Sequence, residues 1–118
     1  MIIACWSGPR NISTALMRSW SSRKDTFVTD EPFYSYYLKE KKIKHPLYKE
    51  IINMYSSNYE EVVDYLLGKI PNNKKIWYQK HMAHHILDLN EIEWISNCHN
   101  CILLRHPKEV ISSFTKKN

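Results

Sequence analysis

No run of apolar residues in this 118-residue sequence approaches the roughly 20 that a membrane-spanning helix requires, so no membrane partner is expected. The N-terminus lacks a basic stretch ahead of an apolar core and a cleavage site, which gives no reason to expect secretion. Three cysteines are few and odd in number, a count that fits reduced thiols better than a disulfide framework. A cytoplasmic location is therefore the expectation. Internal repeats and low-complexity segments are absent as well, which removes solenoid and linker architectures.

What is present fits one globular unit. Hydrophobic residues make up 43% of the chain, and its length suits a single domain over 1–118, a sheet with flanking helices. The formal net charge of +5 admits polyanionic partners. The lysines, however, are scattered in short clusters, and no face interleaves aromatic with basic side chains. Nucleic acid is thus not an expected partner, and a small, highly charged nucleotide suits the positive field equally well.

Short apolar runs alternate with helical patterns along the chain. Met1 to Trp6 reads as a buried strand, and Ile12, Ala15, Leu16, Ser19 and Trp20 then give one face of a helix. Thr26 to Thr29 reads as a second strand, ending in Asp30-Glu31-Pro32-Phe33-Tyr34. Pro32 disfavours helical geometry at Glu31 but can itself open the helix that follows. That helix, from Phe33 to Leu38, fades into a basic connection through Lys44, and Leu47, Ile51, Met54 and Tyr55 predict another. Asn58 is a good N-cap ahead of Tyr59, Val62, Val63, Leu66 and Leu67, the cleanest amphipathic stripe in the chain. Gly68 is placed to end it as a left-handed residue.

After a turn at Pro71 to Lys74, Lys75 to Lys80 reads as a third strand, ending in His81-Met82-Ala83-His84-His85. Asp88 with Glu91 signals a short helix, and Asn97 to Asn100 a loop. Cys101 to Leu104 reads as a fourth, fully apolar strand, and Pro107 opens a last helix. The alternation predicts an α/β layered fold with a mainly parallel sheet of about four strands. Glu31, Lys80 and His81 then stand at strand ends, on the same side of the sheet, where open α/β sheets bind ligands.

The most informative stretch is Ser7-Gly8-Pro9-Arg10-Asn11-Ile12-Ser13-Thr14-Ala15-Leu16. A strand, a tight loop and a helix start together form an anion site. The first helical N–H groups have no internal partner, and the helix dipole favours negative charge there. Gly8 and Pro9 shape the turn, Arg10 supplies a fixed positive charge, and Ser13 and Thr14 add hydroxyl donors. The usual triphosphate loop, G-x-x-x-x-G-K-[ST], is not present, since both its spacing and its lysine are missing. Near the other end, Arg105 closes a strand and Ser113 lies two helical turns inside the next helix, a spacing that can grip one phosphate from two sides.

The first stretch resembles the 5′-phosphosulfate loop of the sulfotransferases, which commonly runs G-x-P-R/K-S-G-T-T-x-L. Pro9, Arg10, Ser13, Thr14 and Leu16 fit, while Asn11 and Ile12 replace Ser and Gly. A branch of that superfamily is similar at greater length, in W-S-G-P-R-N-I-S-T-A-x-M-R-S and D-E-P-F-Y. The run from Arg105 to Phe114 resembles the 3′-phosphate segment, R-[DNH]-P-x-x-x-x-x-S-[YF]. The resemblance implies a P-loop NTPase-like three-layer fold that binds 3′-phosphoadenosine 5′-phosphosulfate and transfers its sulfuryl group to a hydroxyl or amine acceptor, with no metal. Gly8, Pro9, Arg10, Asn11, Ile12, Ser13, Thr14, Ala15, Arg105 and Ser113 would hold the donor. It also implies an incomplete domain, since such domains run to about 200 residues or more.

Some members acting on protein or carbohydrate acceptors carry a base glutamate where Glu31 stands. Cytosolic small-molecule members carry K-x-H, with the histidine as base, where this chain has Lys80-His81. Glu31 and His81 are therefore alternative bases, and Lys80 is a contact to the leaving group. Two other readings compete. One is a nucleotide-binding or nucleotide kinase-like module without sulfuryl transfer. The other is a zinc-binding structural domain, in which His81, His85, Cys98 and Cys101 supply four ligands.

Overall fold

In the computed structural model, residues 1–8, 12–43 and 55–103 are described. Pro9, Arg10, Asn11, Arg105 and Ser113 lie outside them, as do the helix expected over 47–54 and the one expected after Pro107.

Four strands, β1 (Ile2–Ser7), β2 (Thr26–Asp30), β3 (Ile76–Met82) and β4 (His99–Leu103), lie in the order β2-β3-β1-β4, every adjacent pair parallel. Helix α1 (Ser13–Ser21) connects β1 to β2, and α2 (Tyr34–Glu40) and α3 (Tyr59–Leu67) lie between β2 and β3. Three short 3₁₀ segments, Ala83–His85, Leu89–Glu91 and Glu93–Asn97, lead to β4. No helix among the described residues is long and apolar enough to cross a membrane.

Successive strand residues point to opposite faces, and the two faces pack differently. On one, Ile3, Cys5 and Tyr78 meet Leu16, Met17 and Trp20 of α1. On the other, Trp77 joins Phe33, Val62 and Leu66 together with Trp94, and Ile2, Trp6 and Phe27 pack against them. The result is three layers, with β1 and β3 inside. Two buried polar side chains on this second face are hydrogen-bonded, as burial demands. Trp77 Nε1 donates to Thr29 Oγ1 at 2.8 Å, and Gln79 Nε2 donates to the Leu66 carbonyl at 3.1 Å.

The expected elements that fall within the described residues are found, with differences that have physical causes. The inward face of α1 runs through Ser13, Leu16, Met17 and Trp20, whereas Ile12 is 65% exposed and Ala15 and Ser19 are also exposed. Ile12 precedes the first helical residue, so helical spacing does not govern it. Asn58 caps α3, its Oδ1 accepting from the Glu61 N–H at 3.0 Å. Gly68 is not left-handed, having φ −80 and ψ −159. What it allows is close approach, since a Cβ there would meet the carbonyl oxygens of Asp64 and Tyr65 at 3.3 and 3.4 Å. The left-handed residues of this connection are Asn72 and Asn73.

Strand β3 runs two residues past Lys80, to Met82. Strand β4 begins at His99, inside the expected loop, and is exposed from His99 to Ile102 rather than buried. A strand's side chains are buried by layers packed on its faces, and the residues after Leu103 lie outside those described.

Leu66 is fully buried in the α3 layer, so Leu66→Ala is expected to cost about 2–5 kcal/mol in urea unfolding. Asn58→Ala removes only the cap and is expected to cost about 1 kcal/mol. A smaller loss for Leu66→Ala than for Asn58→Ala would contradict this packing.

Candidate functional site

The C-terminal ends of β1, β2 and β3 lie side by side, with Asp30 opposite Lys80 and Ser7 opposite Met82 in register. Lys80 projects to the α1 face. Its side chain is only 7% exposed, and three oxygens from two different junctions surround its ammonium. Thr14 Oγ1, in the first turn of α1, accepts from Nζ at 3.1 Å. Asp30 Oδ1 and Glu31 Oε2, at the end of β2, lie at 3.3 and 3.7 Å. The fold thus brings Thr14, Glu31 and Lys80 together, distant in sequence and each expected at the site. Asp30 is the member absent from the expected set, and it is the nearer of the two carboxylates.

The start of α1 has no side-chain cap among the described residues and no acidic residue in its first turn, so its N–H groups remain available to an anion. At Gly8 a Cβ would meet nothing within 4 Å among the described residues. Ser13 is buried under this turn, whereas Ile12, Thr14 and Ala15 face solvent.

Glu31 has a left-handed backbone, φ 48, an uncommon conformation for a residue with a side chain. Two hydrogen bonds hold it there. Its N–H donates to the Lys80 carbonyl at 2.9 Å, and its carbonyl accepts from the Tyr34 N–H at 3.1 Å. The following Pro32 keeps Glu31 out of the right-handed region. Burial raises the carboxyl above its ordinary value, with neighbouring Asp30 adding to the rise, while the charges of Lys80 and His84 oppose it. The outcome is a partly desolvated carboxylate beside a buried cation.

His81 does not share the face of Lys80. Both stand at the C-terminal end of β3, on the side expected, but consecutive residues of a strand point to opposite faces. The His81 ring is 1% exposed and stacks on Trp6 with centroids 4.4 Å apart, between Phe33 at 5.7 Å and Trp94 at 5.8 Å. Because the Gln79 amide nitrogen is committed to the Leu66 carbonyl, its oxygen faces His81 Nε2 at 3.0 Å and accepts from it. Nδ1 is then the unprotonated nitrogen and has no hydrogen-bond partner among the described residues. Protonating it would bury an unpaired N–H and a charge, and burial accordingly lowers the His81 pKa to about 3.

His85, also buried, lies on the Tyr34 ring at 5.1 Å and near Tyr37 at 4.9 Å. Burial first, then the charges of His84 and Lys80, lowers it to about 4. No group of three or more His, Cys, Asp or Glu side chains among the described residues is placed to hold a metal ion, so the constellation of His81, His85, Cys98 and Cys101 is not assembled. A cleft of about 480 Å³ opens beside Gly8 between Trp6, Ile86, Leu89, Ile92, Ile95 and Ile102.

Both buried histidines are neutral in the folded chain and have depressed values. Their contribution to stability is therefore full above the ordinary histidine range and is lost as pH falls from about 6.5 toward 4 and 3. Unfolding free energy is expected to drop between pH 7 and pH 5 by about 2 kcal/mol per histidine. His81→Gln is expected to remove roughly half of that pH dependence. Equal stability of the wild type at the two pH values would contradict the burial described.

The family described as the sulfotransferase domain matches residues 1–118. Branched-chain-amino-acid aminotransferase-like protein 1 of Arabidopsis thaliana is 37% identical over 116 residues, covering 98% of this chain and 20% of that protein. Branched-chain-amino-acid aminotransferase-like protein 2 of the same plant is 35% identical over 116 residues, with the same coverage of each. The chain spans about a fifth of the length of these curated relatives. No solved structure gives a significant match. With its parallel three-layer fold, and with a match that runs from the first residue to the last, this chain belongs to the sulfotransferase-domain family.

Proposed function

We propose that the site at the ends of β1, β2 and β3 binds 3′-phosphoadenosine 5′-phosphosulfate and transfers its sulfuryl group to a hydroxyl or amine acceptor. The observation that carries this reading is Lys80, a buried ammonium joined to the first turn of α1 through Thr14 and to two carboxylates through Asp30 and Glu31. Family membership supports it.

In this reading the loop residues Gly8, Pro9, Arg10 and Asn11, with Ile12, Ser13, Thr14 and Ala15 of the helix start, hold the 5′-phosphate and sulfate. Arg105 and Ser113 hold the 3′-phosphate; these roles come from the motifs. Sulfuryl transfer makes the demands of phosphoryl transfer: in-line approach, and stabilisation of the charge left on the departing phosphate. As the acceptor's oxygen or nitrogen bonds to sulfur, the bond from sulfur to the phosphate oxygen breaks, and that oxygen keeps the electron pair. Lys80 and the start of α1 meet its charge. Glu31 takes the acceptor's proton, and its raised pKa makes it a better base than an exposed carboxylate. Glu31 is preferred over His81 as base because the free nitrogen of His81 is enclosed by aromatic rings in the opposite layer.

Calorimetry with adenosine 3′,5′-bisphosphate, the donor product, tests the binding. Arg10→Ala, Arg105→Ala and Lys80→Ala are each expected to weaken affinity about tenfold or more, as lost hydrogen bonds to charge would. Binding of ATP as tight as that of the bisphosphate would favour a nucleotide-binding module without sulfuryl transfer, and unchanged affinity in both arginine variants would end the assignment. Glu31→Gln is expected to keep bisphosphate affinity and to lose about 10²-fold or more in transfer. In the wild type, transfer should rise with pH through a midpoint above the ordinary carboxylate value, and that limb should vanish in Glu31→Gln.

A further inference from the structure

The two cysteines that fall in strands, Cys5 in β1 and Cys101 in β4, are direct partners in parallel register. They therefore lie on the same face of the sheet, one strand spacing apart, about 4.8 Å. That distance is within the Cα separation a disulfide spans, roughly 4.4–6.8 Å. Parallel Cβ vectors on neighbouring strands lie nearly as far apart as the strands themselves, whereas a relaxed disulfide brings its Cβ atoms to about 3.8 Å. Such a bridge would have to draw the strands together, and a strained bridge is readily reduced.

The two thiols differ in the way a two-step oxidation requires. Cys101 is exposed, on β4, which has only β1 beside it among the described residues, where an oxidant can reach it. Cys5 is 2% exposed, and burial pushes its thiol up, so it is inert until a partner sulfur is activated beside it. The third cysteine does not compete. Cys98 is extended and lies three residues before Cys101, so their Cα atoms are about 10 Å apart, beyond the reach of a disulfide. It also belongs to the opposite layer, packed with Trp94 and Trp6. The C-x-x-C spacing in the sequence is thus not a pair in space, and the pair in space has no sequence motif.

We propose that Cys5 and Cys101 form a reversible disulfide, a modification site one strand away from Lys80. Lys80 is the register partner of Cys5 on β3, so the bridge would pull at β1 between the site's cation and β4, two residues before Ser7. With hydrogen peroxide as oxidant, the Cys101 thiolate attacks the peroxide oxygen, breaking the O–O bond. Sulfur becomes a sulfenic acid, and hydroxide leaves and takes up the thiol's proton as water. Cys5 sulfur then attacks the sulfenic sulfur, the S–S bond forms, and the sulfenic oxygen departs as a second water with the Cys5 proton. Two thiols are oxidised by two electrons, and one hydrogen peroxide is reduced.

The test treats the folded chain with stoichiometric hydrogen peroxide and maps its peptides without reduction. Wild type and Cys98→Ser are both expected to lose two hydrogens in mass and to yield the Cys5 peptide joined to the Cys101 peptide. Millimolar reduced glutathione should reopen the bridge in both. Cys101→Ser, a change at an exposed position, should leave Cys5 fully alkylatable after denaturation. The proposal is overturned if Cys101 proceeds to sulfinic acid or to intermolecular dimers while Cys5 stays a free thiol in Cys98→Ser. A link from Cys5 to Cys98 in the wild type would overturn it equally.

Discussion

One buried ammonium constrains the whole end of this sheet. A lysine that is 7% exposed must have compensating partners, because an unpaired charge removed from water costs several kcal/mol or more. Lys80 finds them in Thr14, Asp30 and Glu31, and by doing so it joins three strand-to-helix junctions that are far apart in sequence. The same contacts answer the electrostatic problem of Asp30 and Glu31, two adjacent carboxylates at one strand end. Without the cation they would repel each other and the phosphates that the loop motif implies. The left-handed backbone at Glu31 belongs to the same arrangement, since its N–H is fixed on the carbonyl of Lys80 itself.

The sheet also separates two environments. Its α1 face, at the strand ends, carries the charged groups. Its other face carries a dense set of rings, in which Trp6, Phe33 and Trp94 surround a neutral His81. Gln79 links the two hydrogen-bonding demands of that layer, donating to the α3 backbone and accepting from His81. His81 is thereby held neutral in a buried layer on the face opposite Glu31.

Much of this was legible in the residues. Strand and helix order, the N-cap at Asn58 and the stripe of α3 follow from periodicity and capping chemistry, which act locally. The ends of β2 and β3 were visible as candidate sites because charged residues directly follow apolar runs. Parity within β3 was equally readable, since no strand can point both Lys80 and His81 to one face, whereas the two outer positions of K-x-H share one. The exposure of β4, the extended Gly68 and the pairing of Cys5 with Cys101 were not readable. The first and last depend on which strand lies beside which, an order settled by packing over the whole chain, whereas Gly68 caps a helix whose connection turns instead at Asn72 and Asn73.

The central claim is that the anion loop and the ends of β2 and β3 form one binding surface. Backbone amide chemical shifts followed while adenosine 3′,5′-bisphosphate is titrated into isotopically labelled protein test it most directly. The account predicts that one saturable event shifts Gly8, Ser13 to Ala15, Asp30, Glu31 and Lys80 together, leaving α3 unmoved. Shifts confined to β4 and the 3₁₀ segments before it, with Lys80 and the start of α1 unchanged, would contradict it.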